Sequence, residues 1–138
     1  MSQYKEMMAT PNMFYDEWFS NPDWWFSKNP VYDEYITNTY EHLLETSFDL
    51  PIEGLDIIKQ TITNIIIFDQ LPRHVFRNQC ANHIIEYFLQ KALEICETLM
   101  NKTPNYEEFV SDQEWSFVWR PLRHTRNLHN IFKAMEAA

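Results

Sequence analysis

The chain has a single glycine, Gly54, and that scarcity excludes more than any residue present. Phosphate loops and dinucleotide turns need several glycines, because the backbone must approach a phosphate with no Cβ in the way. Tight two-residue hairpins favour glycine at positive φ, so a sheet built on such hairpins is excluded on the same ground. Cysteine is nearly as scarce, with Cys80 and Cys96 alone. On one helix these two would stand about 24 Å apart at the α-helical rise, beyond the reach of a disulfide, and unpaired thiols fit a reducing compartment. The longest strictly apolar run is Ile65 to Phe68, far short of a membrane span. The opening MSQYKEMMATPN lacks the charged-then-apolar order of a signal peptide. These absences lead to the expectation of a soluble, cytoplasmic protein that does not enter a membrane.

Positive charge is also in short supply, 11 Lys and Arg against 20 Asp and Glu, for a net charge of -9. The imbalance is uneven: through Ile58 eleven acids meet two lysines, and from Lys59 onward nine acids meet nine bases. An acidic chain repels polyphosphate at long range, which disfavours non-specific nucleic-acid binding and leaves room for a small local anion site.

What the chain does have is apolar and aromatic bulk, 45% and 16% of 138 residues. That suits one domain over 1–138 with a core of its own, and argues against disorder. The spacing predicts helices throughout. Phe14 and Trp18, with Phe19 beside them, share a helical face over 12–20. Asn21-Pro22 and Asn29-Pro30 each read as an N-cap followed by proline at the first helical position. The first predicts a short helix with Trp24, Trp25 and Phe26. The second predicts a longer one with Tyr32, Tyr35, Ile36, Tyr40, Leu43 and Leu44 inward and a solvated acidic face of Asp33, Glu34, Glu41 and Glu45.

After a linker at 46–53 comes a run from Gly54 to Gln70 that is rich in isoleucine and threonine. Its β-branched content would suit a strand, but about 17 residues is too long for one and implies a helix apolar around most of its circumference, in the middle of a bundle. Pro72 ends it. A helix over 79–100 carries Ile84, Ile85, Phe88, Leu89, Ala92, Ile95, Cys96 and Leu99 at helical spacing. A shorter helix is expected from Tyr106 to Asp112, then an aromatic segment with Trp115, Phe117 and Trp119 that Pro121 breaks, then a last helix capped by Thr125. The architecture expected is all-α, about six helices in antiparallel pairs.

Three segments resemble domain-of-unknown-function family 924. Residues 14–33 are similar to its aromatic opening, with the Trp25-Phe26 pair and the Tyr32-Asp33 helix start. Residues 67–77, IFDQLPRHVFR, resemble its aliphatic-Asp-Gln-Phe-Pro-Arg-Asn-aliphatic-aromatic-Arg pattern almost position for position, with His74 in place of Asn. Residues 120–128, RPLRHTRNL, are similar to its Pro-Leu-x-His-Ser-Glu-Asp-Leu, with Arg126 and Asn127 where two acids are usual. The resemblance implies a tetratricopeptide-like fold and no established biochemical role.

All five arginines lie in the last two segments, Arg73 and Arg77 in one, Arg120, Arg123 and Arg126 in the other, with His74 and His124 among them. Guanidinium groups suit bidentate contact with carboxylate or phosphate. If folding joins the segments, Arg73, His74, Arg77, Arg120, Arg123 and His124 form a pocket for an anionic ligand or acidic peptide end, and the protein is a binding or interaction module. The structural alternative is that Asp69, Glu114 and carbonyls pair with these arginines and lock helix ends. Asp69, in the last turn of its helix, needs a cation against the negative helix end, and Arg73 is the expected partner. A second reading is a small hydrolase or transferase on an anionic substrate, with His124 as proton carrier and Asp69 as candidate base; a third is a structural subunit of a larger assembly. Cys80 and His83 supply two metal ligands at most, so neither a metal nor a cofactor is expected. Protein or a small anion is the expected partner.

Overall fold

The isoleucine-rich run is the centre of the fold. In a computed structural model, which describes residues 9–45, 56–77, 79, 82–103 and 105–124, it forms a helix at Ile57–Asp69 (α3), and from Ile62 to Asp69 every residue except Asn64 is buried. Asp56 caps α3 by accepting the Lys59 N–H at 2.8 Å. Thr61 and Thr63 turn their hydroxyls back to the carbonyls of Ile57 and Lys59, both at 2.7 Å, so each polar atom is satisfied within its own helix. Each buried isoleucine on α3 contributes roughly 1.5–3 kcal/mol by leaving water.

Around it stand α1 (Pro11–Ser20), α2 (Pro30–Tyr40), α4 (Leu71–Val75), α5 (Asn82–Lys102), α6 (Asp112–Val118) and α7 (Arg120–His124), with short 3-10 turns at Pro22–Trp24, Glu41–Glu45 and Tyr106–Phe109. The protein is all-α among the described residues: five helices of seven residues or more, two of five, and no strand. The broadest packing is α3 on α5, the two segments with the strongest apolar patterns. One apolar cluster runs from Ala9 to Leu122 and includes Phe14, Trp18, Ile36 and Tyr40 from the first two helices.

Of the caps the sequence implies, Asn29 is present. Thr10 accepts from Met13 N, and Asn29 accepts from Val31 N. Ser111 and Glu114 form a reciprocal capping box at the start of α6, and Glu114 also accepts from the Tyr15 hydroxyl at 2.8 Å.

Several expectations are corrected. Asn21 caps nothing with its side chain, because its Nδ2 donates to Glu17 O of the preceding helix; the following turn is 3-10 and stops at Trp24. Phe26 then takes a left-handed φ of 59°. Asp33 is buried, not solvated. Tyr35 is exposed, with its hydroxyl on Glu17 Oε1 at 2.7 Å. The helix expected over 106–112 is a 3-10 turn at Tyr106–Phe109, and the aromatic segment after it is helical (α6). Pro121 opens α7 instead of breaking the chain, as Pro72 opens α4, because proline satisfies the first turn of a helix as readily as it ends the previous one. The linker expected at 46–53, the start expected for the next helix at Gly54, Cys80, Arg126 and the helix expected after Thr125 lie outside the described residues. No helix among the described residues is long and apolar enough to cross a membrane.

Candidate functional site

Asp69 closes α3 with a carboxylate at the negative end of the helix dipole, almost wholly buried. Such a group is tolerated only when donors surround it. Gln70 Nε2 donates to Oδ2 at 2.8 Å, His124 Nδ1 bonds Oδ1 at 2.6 Å, and Arg73 reaches the same Oδ1 at 3.7 Å. The expected pairing with Arg73 is thus present but loose; that guanidinium donates from Nε to the Asp69 carbonyl at 2.9 Å instead. The nearest side-chain partner of Asp69 is His124, 55 residues away, carried in by α7. Since a carboxylate can only accept, Nδ1 of His124 carries the proton, and Nε2 has no partner among the described residues. The His124 side chain is 25% exposed, so Nε2 belongs to a ring open to solvent.

Arg120 and Arg123 come to the same place on α7. The Arg120 guanidinium lies over Phe26, with Cζ 4.3 Å from the ring centroid, and near Phe117 and Trp119 at 5.4 and 5.2 Å. It makes no ion pair among the described residues, and its Nε is buried without a hydrogen-bond partner, as is Trp119 Nε1. Burial holds the guanidinium below its usual pKa, the Asp69 charge opposes that shift, and Arg123 adds to it. Arg123 is exposed, 5.6 Å over Trp119. Phe26 is 59% exposed in its left-handed conformation, which disfavours a non-glycine residue by about 1–2 kcal/mol and persists only where its surroundings hold it.

The remaining two members of the expected pocket go elsewhere. Asp33, on α2, takes both His74 and Arg77: His74 Nδ1 bonds Asp33 Oδ1 at 2.6 Å, and Arg77 Nε stands 2.9 Å from Oδ2 as an ion pair off hydrogen-bond alignment. Arg77 also donates to the Ser27 carbonyl at 2.7 Å. His74 is buried edge-on to Trp18, and that burial lowers its pKa despite Asp33. These contacts tie α2, α4 and the loop at Ser27 together, so His74 and Arg77 act as a clasp on Asp33. The structure therefore gathers Arg73, Arg120, Arg123 and His124 around Asp69, and pairs His74 and Arg77 with Asp33. Glu114 meets Tyr15 and Ser111, not an arginine.

A sequence model of the family described as "Bacterial protein of unknown function (DUF924)" matches residues 14–138, a span that contains both acid–histidine clusters. The chain belongs to that family. No curated protein and no solved structure matches it. The segments resembling DUF924 patterns are thus the ones that build the two clusters, at the end of α3 and on α4 and α7.

Two cavities lie away from Arg120 in this DUF924 protein. One of ≈ 270 Å³ opens beside the Asp33 clasp and is lined by Asp33, His74, Thr37 and Asn38 among others. The other, ≈ 430 Å³ and mainly apolar, lies between α3 and α5 against Ile57, Ile58, Ile95 and Leu99. Among the described residues no three His, Cys, Asp or Glu side chains converge as metal ligands. Cys96 is buried and donates its thiol to the Val118 carbonyl at 2.8 Å, a packing role. Sequence reasoning named both Asp69 and His124 but missed their pairing, and it missed Asp33 and Phe26 as members of the two clusters. The signal for Asp33 was available: a lone acid in the first turn of a helix, one turn away from the inward Ile36.

Proposed function

We propose that the protein is a small intracellular helical binding module, of the tetratricopeptide-like kind the family resemblance implies, that takes a small anion or acidic peptide end at Arg73, Arg120, Arg123 and His124. One observation carries this reading: Arg120 is held beside Asp69 and Arg123 and makes no ion pair among the described residues. The guanidinium groups of Arg120, Arg73 and Arg123 offer charged N–H donors to an incoming carboxylate or phosphate oxygen. Asp69 orients His124 and Arg73 from beneath, so the anion meets donors already in place. The test is calorimetric titration with inorganic phosphate of the wild type, Arg120→Gln, and Arg73→Ala combined with Arg123→Ala. The expected result is binding by the wild type and at least tenfold weaker binding by both variants at unchanged thermal stability. Undiminished binding by folded variants overturns the reading.

A second reading, a hydrolase or transferase acting on an anionic substrate, is favoured by the Asp69–His124 hydrogen bond, because an acid that fixes one ring nitrogen leaves the other to move a proton. It requires turnover of an activated phosphate or carboxylate ester that His124→Gln abolishes while anion affinity is retained. A structural subunit is the third reading; among the described residues the exposed large apolar side chains, from Met13 to Phe109, come from separate segments of the chain.

A further inference from the structure

We propose that the cavity beside the Asp33 clasp is a binding site for a primary ammonium group, which donates to His74 Nε2 and pairs with Glu34. The cavity holds ≈ 270 Å³ between one face of α2 and the end of α4, against Asp33, Glu34, Thr37, Asn38, His74 and Gln79. That is slightly below the ~300 Å³ at which pockets for drug-sized ligands begin, so it suits a small amine or the end of a longer chain. The site is separate from the anion site at Arg120, and neither depends on the other.

His74 fixes the chemistry. Its side chain is only 2% exposed and lines the cavity. A carboxylate can only accept, so His74 Nδ1, 2.6 Å from Asp33 Oδ1, carries a proton. Burial, with the Arg77 charge adding to it, holds the pKa down and keeps the ring neutral at neutral pH, so Nε2 bears a lone pair. Nε2 has no hydrogen-bond partner among the described residues, and it is not one of the wholly enclosed orphan atoms such as Trp18 Nε1. It therefore meets the cavity as an acceptor, on a ring that Asp33 holds in place.

The rest of the wall favours a donor as well. Glu34 is exposed, can only accept, and makes no ion pair among the described residues. Thr37 Oγ1 and Asn38 Oδ1 are further acceptors on the same face of α2. Arg77 offsets the Asp33 charge, so the negative charge left at the cavity is that of Glu34. The site also lies in the acidic part of the chain, where eleven acids meet two lysines, and that field draws cations. An ammonium has three donors and no acceptor, which matches this wall. A carboxylate or phosphate would face Glu34 and a ring nitrogen with no proton to give. Pro30 and Val75 offer apolar contact to an alkyl chain behind the ammonium.

The measurement is NMR titration of isotope-labelled protein, at one low ionic strength, with n-butylammonium, tetramethylammonium, butyrate and the methylamide of Nα-acetyllysine. The wild type should bind butylammonium at least about tenfold more tightly than tetramethylammonium, which has the charge without the N–H donors, and the His74 Nε2 resonance should move as the site fills. His74→Asn keeps an amide donor for Asp33 but lacks the second ring nitrogen, and should bind butylammonium at least about tenfold more weakly. Glu34→Gln, an exposed substitution, should weaken it about threefold and leave phosphate affinity unchanged. Thermal melts check that His74→Asn is folded; if it is not, Glu34→Gln and the His74 resonance carry the test. Equal binding of tetramethylammonium, a stationary His74 Nε2 resonance, or undiminished binding by folded His74→Asn overturns the inference, as does butyrate binding in place of the ammonium. The anion site at Arg120 stands in each case. Binding of the lysine amide as tight as that of butylammonium identifies a protein lysine as the ligand, and tighter binding of butylammonium identifies a free amine. Failure of the wild type to bind either overturns the inference.

Discussion

Asp69 shows how one side chain can hold a site together. It accepts from Gln70 and His124 and is approached by Arg73, while its own position at the end of α3 disfavours a negative charge. Replacing it with alanine leaves Gln70 and His124 without an acceptor, and the expected loss is about 3 kcal/mol, with Asp69→Asn losing less because one carbonyl oxygen remains. Urea unfolding of the three proteins measures this; an alanine variant within about 0.5 kcal/mol of wild type would mean that water replaces the carboxylate freely. His74 gives a pH dependence with a definite sign. Burial depresses its pKa in the folded protein, against the charge of Asp33 and alongside that of Arg77. The unfolded chain therefore takes up the proton first, so stability is full above about pH 6.5 and falls as pH drops from there towards the folded value, by at most about 1.4 kcal/mol per unit. Unfolding midpoints between pH 5 and 8 should slope in this sense, and His74→Gln should remove that part of the slope.

Helices were legible in the sequence where apolar residues recur over several turns, and less so where proline and polar residues decide. The α5 spacing leads to Leu89, Ala92, Cys96 and Leu99, which are buried, and misses Leu93, which is buried as well. For α3 the β-branched content pointed to a strand and length to a helix; length prevailed because an all-round apolar helix can sit where no strand partner exists. Pro72 and Pro121 were read as endings, yet each also starts a five-residue helix that bears the site's arginines and histidines. A proline's missing N–H carries no penalty in a first turn, so sequence alone does not separate the two roles. The start of α6 was missed for a different reason. Ser111 and Glu114 form a capping box, but the aromatic residues behind them obscured the helical period. Ser111→Ala removes the acceptor for Glu114 N and should destabilise the protein by about 1 kcal/mol in thermal or urea unfolding. Glu114→Ala should lose more than that, since Glu114 also holds Ser111 N and the Tyr15 hydroxyl.

At the scale of the whole molecule, the sequence singled out a set of arginines and histidines but not how folding pairs them. Five arginines and two histidines in two segments suggested one cationic pocket. Folding sends His74 and Arg77 to Asp33, 41 residues back from His74, and His124 to Asp69, 55 residues back. Contacts across such separations depend on how helices pack, which local spacing does not encode. The division makes opposite predictions for two arginines of the same chain. Arg77 joins Asp33 on α2 to the Ser27 carbonyl, so Arg77→Ala leaves a buried carboxylate with only His74 and should cost about 2–4 kcal/mol of stability while sparing phosphate affinity. Arg123 is exposed and makes no ion pair among the described residues, so Arg123→Ala should stay within about 0.5 kcal/mol of wild type and weaken phosphate binding. Urea midpoints and phosphate titrations on both variants separate the two roles. Lost binding in a fully stable Arg77→Ala would move the anion site to Asp33, where a cavity of ≈ 270 Å³ already stands beside His74.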